Sequence, residues 1–184
     1  MTSYPNTGRF SSSSIALHWL MAVLLVATAA TMELKGIYPK DSAERDLMKS
    51  VHYCLGLSVF GLVWLRLLAR ALGSTPPIVP APPAWQAMLG ELVHVALYGL
   101  MIGLPLLGWL ALSAKGAPIT LPGGLGLPLL PLTASKETAD LIREFHETGA
   151  TVGYVLVALH AAAALVHHYL QRDNTLLRML PGRR

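Results

Sequence analysis

Four histidines, His18, His52, His146 and His160, each lie in or at the edge of a long apolar segment. Imidazole is a common donor to transition metals and to haem iron, and it needs no covalent attachment of the cofactor. His146 and His160 stand fourteen residues apart on one segment. At ~3.6 residues per turn they project from nearly the same helix face, ~21 Å apart along the axis. An ionisable side chain inside a membrane span is costly, so it points to function. Two histidines at this spacing on one helix, with one on each of two others, can build two bis-imidazole sites stacked across a bilayer. A four-helix bundle can hold two b-type haems in this way.

The elements needed to position such sites are legible. Apolar runs mark spans at roughly 15–34, 52–72, 91–114 and 141–171, each long enough to cross a bilayer. The expected fold is all-α: an integral membrane four-helix bundle, one membrane domain over residues 1–184, binding two haem b groups. Residues 33–51 are charged, and the Pro-rich stretch 76–83 (PPIVPAPP) reads as a stiff connector. Pro105 falls inside the third span and is expected to kink it. Residues 116–133 are apolar but rich in Gly and Pro. They cannot be helical, and in lipid their backbone groups would go unsatisfied, so they should lie at the interface or pack on the bundle. Ala27-Thr28-Ala29 resembles a signal-peptidase site. The weak basic region before it argues for an uncleaved first span that keeps His18.

Composition narrows the chemistry. The 184 residues are 53% hydrophobic and only 13% charged, against ~25% charged in soluble domains. The formal net charge of +4 arises partly from an Arg-rich tail, which suits an anionic lipid leaflet rather than nucleic acid. The single cysteine, Cys54, excludes an intrachain disulfide and is expected to be a buried small residue. With no C-x-x-C-H, no C-x-x-C and no Gly-rich nucleotide loop, a redox cofactor would be held by histidine.

With alternating spans, depth decides which histidines can meet. His18 and His160 lie toward the side of the termini, and His52 and His146 toward the opposite side. The expected pairs are therefore His18 with His160 and His52 with His146, as axial ligands of the haem irons. His94 opens the third span on the terminal side; it could compete with His18, but an interfacial histidine bonded to a backbone carbonyl is the plainer reading. His167 is two turns beyond His160 and could bond a quinone carbonyl or a haem propionate, or simply sit at the interface. His168 is rotated away from that stripe by ~100°.

Other residues carry weaker signals. Gly56, Gly61, Gly149 and Gly153 lie on the helices that carry ligands; they would admit a flat macrocycle or simply pack helices together. Arg66 and Arg70 could pair with haem propionates on the terminal side or snorkel to lipid phosphate. Lys35, Lys49 and Arg143 could serve the opposite haem. Trp19, Trp64, Trp85 and Trp109 suit an interfacial belt or the core. Orientation is nearly balanced. The terminal side carries seven basic residues (Arg9, Arg66, Arg70, Arg172, Arg178, Arg183, Arg184) and the other side also seven (Lys35, Lys40, Arg45, Lys49, Lys115, Lys136, Arg143). The clustering of the first set close to span ends favours termini in the cytoplasm. The opposite side holds eight acidic residues against its seven basic ones, which is no obvious field for drawing in an anion.

These stretches resemble the bacterial cytochrome b561 family along nearly the whole chain. The matching segments are ALHWLM around His18, MELKGIYPK, VHYCLGLSVFGLVWLRLLAR with His52, TPPIVP, FHETGATVGYVLVALHAAAALVHHYL with His146 and His160, and DNTLLRMLP. The last two point more narrowly to its stand-alone branch, which includes membrane-bound superoxide oxidases. The resemblance implies a multi-pass protein of the bacterial inner membrane that passes electrons from periplasmic superoxide through two bis-His haems to ubiquinone. Its partners would be the bilayer, superoxide and ubiquinone, with no nucleic acid and no protein partner required. The resemblance also makes His167 the best candidate at the quinone site, and it assigns no catalytic residue. The main alternative is a cytochrome b subunit serving a periplasmic dehydrogenase. A haem-free protein that moves metal or protons is disfavoured by the paired histidines and the lack of intramembrane carboxylates.

Overall fold

A computed structural model describes residues 8–132 and 134–182. Four long helices carry the chain: α1 (Ser12–Lys35), α2 (Ala43–Leu72), α3 (Ala84–Ala114) and α4 (Lys136–Val166). All four are long and apolar enough to cross a membrane. Serine side chains start three of them. Ser11 accepts from the Ser14 amide, Ser42 from the Arg45 amide and Ser135 from the Thr138 amide, each at 3.2 Å, satisfying donors that a first helical turn leaves open. α3 instead follows Pro83, the last residue of the Pro-rich connector.

The helices extend beyond the apolar runs. α2 begins nine residues before His52, so the charged stretch from Ala43 is its first turns, with Glu44 and Asp46 at the positive end of the helix dipole. α3 passes through Pro105 as one helix. After Val166, α4 widens into a π-helical turn, His167–Gln171. Residues 116–132 are non-helical, as expected, and carry a small antiparallel hairpin of β1 (Ile119–Thr120) and β2 (Gly126–Leu127), pairing Ile119 with Leu127. The hairpin packs on the bundle through side chains. The Trp109 indole donates to the Pro128 carbonyl (3.1 Å), the Leu130 amide donates to Ser113 Oγ (3.0 Å), and the Ser50 hydroxyl donates to the Thr120 carbonyl (2.8 Å). It therefore covers the ends of α2 and α3 on the His52 side.

Packing divides the bundle into two hairpins. α1 lies closely along α2, and α3 along α4, while the two pairs meet mainly between α2 and α3. The buried core is correspondingly small: Met21, Val59 and Val63, flanked by Leu24, Leu25, Leu62, Tyr98, Met101 and Ile102. Large apolar residues such as Val23, Val26, Val95 and Leu72 face outward. In a bilayer that face costs nothing, because lipid solvates it.

The C-terminal segment ties the terminal side together. The Asn174 side chain accepts from the Val79 amide (2.8 Å) and donates to the Pro77 carbonyl (3.3 Å), and its amide donates to the Val79 carbonyl (3.1 Å). Arg178 donates to the Pro76 carbonyl. The Trp19 indole donates to the Met179 carbonyl (2.7 Å) and the Phe10 amide to the Arg178 carbonyl (3.2 Å). Four backbone groups of the Pro-rich connector are thus met by the tail. Asn174→Ala would leave two connector groups unpaired and is expected to destabilise the protein by roughly 1–3 kcal/mol. Thermal melting in detergent, read by the haem spectrum, measures this.

Candidate functional site

The histidines face one another across the seam between the helical hairpins. His18 on α1 and His160 on α4 have ring centroids 6.2 Å apart, with planes at 70°. His52 on α2 and His146 on α4 have centroids 6.3 Å apart, with planes at 82°. These separations have a chemical meaning. With metal–nitrogen bonds of ~2 Å and ring nitrogens roughly 1.1 Å from the centroid, two imidazoles on opposite sides of one metal put their centroids ~6.2 Å apart. His94 on α3 lies only 5.3 Å from His160, about an ångström too short for that arrangement. His94 therefore belongs to the same cluster but packs edge-to-face against His160.

The His52–His146 pair also has its tautomers set. His146 Nδ1 donates to the Leu104 carbonyl at 2.8 Å. His52 Nδ1 lies 3.1 Å from the Thr28 carbonyl and 3.3 Å from the Thr31 hydroxyl. A carbonyl can only accept, so both Nδ1 atoms carry the proton and both Nε2 lone pairs are left to bind a metal. The local sequence makes this possible. Gly108 leaves room for the ring. A Cβ at Gly108 would come within 3.1 Å of His146 Cε1.

On the terminal side, an open cleft lies against His18, His94 and His160, lined also by Met21, Leu25, Arg66, Tyr98 and Met101. Arg66 Nε donates to the Tyr98 hydroxyl at 3.1 Å, which orients the guanidinium along the cleft. Arg66 and Arg70 also border a smaller recess with Phe10, Ser14 and Met179. Arg178, buried and stacked over the Phe10 ring, adds a third guanidinium to this corner, and its Nε has no partner among the described residues. At the His52–His146 pair, the Nδ1 bonds leave both Nε2 lone pairs free for a haem iron; at His18 and His160, the apolar, Arg-edged cleft suits a haem with anionic propionates.

Not every residue singled out from the sequence joins the site. Gly149 and Gly153 pack on α3: a Cβ at Gly149 would lie 2.7 Å from Leu104 Cδ2, and one at Gly153 3.7 Å from Leu100. Beside Gly56 and Gly61 there is open space, as a macrocycle or lipid against the helix would need. Gly149→Val is expected to cost about 1–3 kcal/mol through overpacking of α3 on α4, read by thermal melting. Lys49 is paired with Asp46 (2.8 Å) and Arg143 with Glu147 (3.0 Å), all exposed. Lys35 Nζ rests on the Met32 sulfur (3.6 Å). Cys54 is half-buried.

His167 leads to a group that sequence reasoning missed. Its Nδ1 lies 2.5 Å from Oδ2 of Asp173, a carboxylate only 1% exposed. Burial alone would raise the Asp173 carboxyl, but hydrogen bonds from His167 and from the Thr175 amide outweigh it and hold the group below the usual carboxylate range. The signal in the sequence was the Asp-Asn-Thr turn just past the fourth span, a pattern whose side chains bond the backbone two residues on. Thr175 N does so with Asp173 Oδ1 at 2.8 Å.

Comparison with known proteins agrees with this architecture. Residues 9–182 match the family described as prokaryotic cytochrome b561. The chain is 44% identical to cytochrome b561 homolog 1 of Escherichia coli (strain K12) over 177 residues, covering 96% of this chain and 99% of that protein. It is 35% identical to the probable superoxide oxidase CybB of Yersinia pestis over 176 residues, 96% and 98% of the two chains. Cytochrome b561 homolog 2 of the same E. coli strain is 30% identical over 184 residues, 97% and 95% of the two. Four membrane-capable helices with histidines facing across their seam, together with a match over almost the full length, make this chain a member of the prokaryotic cytochrome b561 family, membrane electron-transfer proteins that bind b-type haem.

Proposed function

We propose that this protein is a superoxide:ubiquinone oxidoreductase of the bacterial inner membrane, with both termini in the cytoplasm. The observation that carries the reading is the pair of cross-seam histidine couples at metal-bridging separation. It is joined by the 35% identity to a probable superoxide oxidase. His52 and His146 would hold one haem b toward the periplasm, and His18 and His160 a second toward the cytoplasm. Haem bound there would supply one-electron redox chemistry. Overall, two superoxide ions each lose one electron to give O₂, and one ubiquinone gains two electrons and two protons to give ubiquinol.

The chain's own residues do the rest. Thr28, Thr31 and Leu104 orient the two periplasmic-side imidazoles. Arg66, held by Tyr98, and Arg70 neutralise propionate charge at the cytoplasmic side. His167 at the end of α4 bonds a quinone carbonyl and exchanges protons with it. One observation favours a second reading, an electron-transfer subunit of a periplasmic dehydrogenase. Lys49 and Arg143 are neutralised by Asp46 and Glu147, which leaves little local positive field to steer superoxide.

The test is a pulse of superoxide delivered to the purified, oxidised, haem-loaded protein while its visible haem bands are followed, with and without ubiquinone. Fast haem reduction that quinone drains is the expected result. Haem that stays oxidised would turn the assignment to the dehydrogenase subunit, and a protein without haem bands would overturn both.

A further inference from the structure

We propose that Asp173 is a positioning residue for quinone reduction: its carboxylate keeps the His167 proton on Nδ1 and so makes Nε2 the nitrogen that exchanges protons with the quinone oxygen. This inference rests on the reading that His167 meets the quinone. The geometry has three parts. The π-helical turn at His167–Gln171 ends in Arg172 with φ +56°, a left-handed conformation that reverses the chain. The Asp173 amide then donates back to the His167 carbonyl at 3.1 Å, closing the turn. The Asp173 carboxylate is thereby brought to the Nδ1 edge of the ring of the residue six positions earlier, 2.5 Å from that nitrogen.

A carboxylate only 1% exposed is costly to bury unless it is paired and hydrogen-bonded. Both oxygens are used: Oδ1 accepts from the Thr175 amide and Oδ2 from His167. Arg178 supplies the nearby positive charge. The C-cap alone does not require this arrangement, since backbone bonds already close the turn. What the ionised oxygen adds is a fixed acceptor for Nδ1–H, the device that sets the working tautomer in carboxylate–histidine pairs. The proton count closes simply. Imidazolium Nε2–H passes a proton to a quinone oxygen as electrons arrive, leaving neutral imidazole with Nδ1–H still held by Asp173. Water on the terminal side returns a proton to Nε2, and a second transfer completes ubiquinol.

Asp173→Asn keeps the shape but reverses the polarity. Its oxygen can still accept from Thr175, while its NH₂ donates to Nδ1 and drives the histidine proton to Nε2. The experiment uses the full-length haem-loaded protein, reduced with stoichiometric dithionite and mixed with a short-chain ubiquinone while haem reoxidation is followed. D173N is expected to reoxidise ~10²-fold more slowly, with unchanged haem content and melting temperature. D173E should recover part of the rate. The double variant H167A/D173N should be no slower than H167A, because Asp173 acts only through His167.

Wild-type haem that quinone oxidises, with D173N at the same rate, overturns the inference and leaves the functional reading intact. Wild-type haem that quinone does not oxidise overturns both. Should D173N lose its haem, the wild-type protein decides the matter. Nitrogen-15 histidine NMR, assigned against H167A, is expected to show His167 protonated at Nδ1; a bare Nδ1 with the proton on Nε2 overturns the inference.

Discussion

Replacing His160 with alanine is expected to halve the haem content. The haem on the terminal side should be lost and the one between His52 and His146 retained. The reason is geometric: among the described residues, His160 supplies the one histidine ring at bridging distance from His18, 6.2 Å between centroids. Electrons would then have to cover the ~21 Å that separates the levels of His146 and His160 on α4, so turnover from superoxide to quinone should collapse. A pyridine haemochrome assay gives the haem-to-protein ratio, and the visible spectrum shows which haem remains. If both haems persist, the pairing is wrong. His94→Ala is the matched control. At 5.3 Å from His160, His94 is too close to sit across a metal from it, and the variant should keep both haems. Loss of one haem in H94A together with full content in H18A would transfer the ligand role to His94.

The second large effect concerns the quinone end of the proposed redox path. His167→Ala is expected to keep both haems and to accept electrons from superoxide at the normal rate, yet to slow haem reoxidation by ubiquinone by ~10²–10⁴-fold, the span of a lost general acid–base group. The split is informative because His167 is seven residues past His160, at the π-helical turn and beyond the ring pairs. Stopped-flow spectroscopy separates the two phases. Loss of haem reduction as well as reoxidation would place His167 in haem binding instead.

Helical periodicity explains why so much of this was legible in one dimension. Residues fourteen apart on a helix must share a face, and alternating spans must return to the same depth, so the positions of His18, His52, His146 and His160 along apolar runs were sufficient to suggest which could meet. The bilayer enforces this, because backbone groups in hydrocarbon have to be satisfied within the helix. The Gly/Pro-rich segment at 116–132 was equally readable as non-helical, since its residues break helices by their own backbone preferences.

Tertiary structure decided what periodicity leaves open. That His94 crowds His160 yet misses bridging distance depends on how α3 rotates against α4, which no spacing in the sequence encodes. That Gly149 serves packing while Gly108 admits His146 depends on which neighbour each happens to face: Leu104 in one case, the imidazole in the other. The chain reversal after His167 depends on one left-handed residue, Arg172, of a type with no special preference for that conformation. It brings Asp173, a tail residue in sequence, into the interior beside a histidine that spacing alone could not assign. Apolar patterning and helix geometry were enough to determine the bundle and its candidate ligands. Rotation about helix axes and a single turn, both set by packing, determined which polar groups orient them.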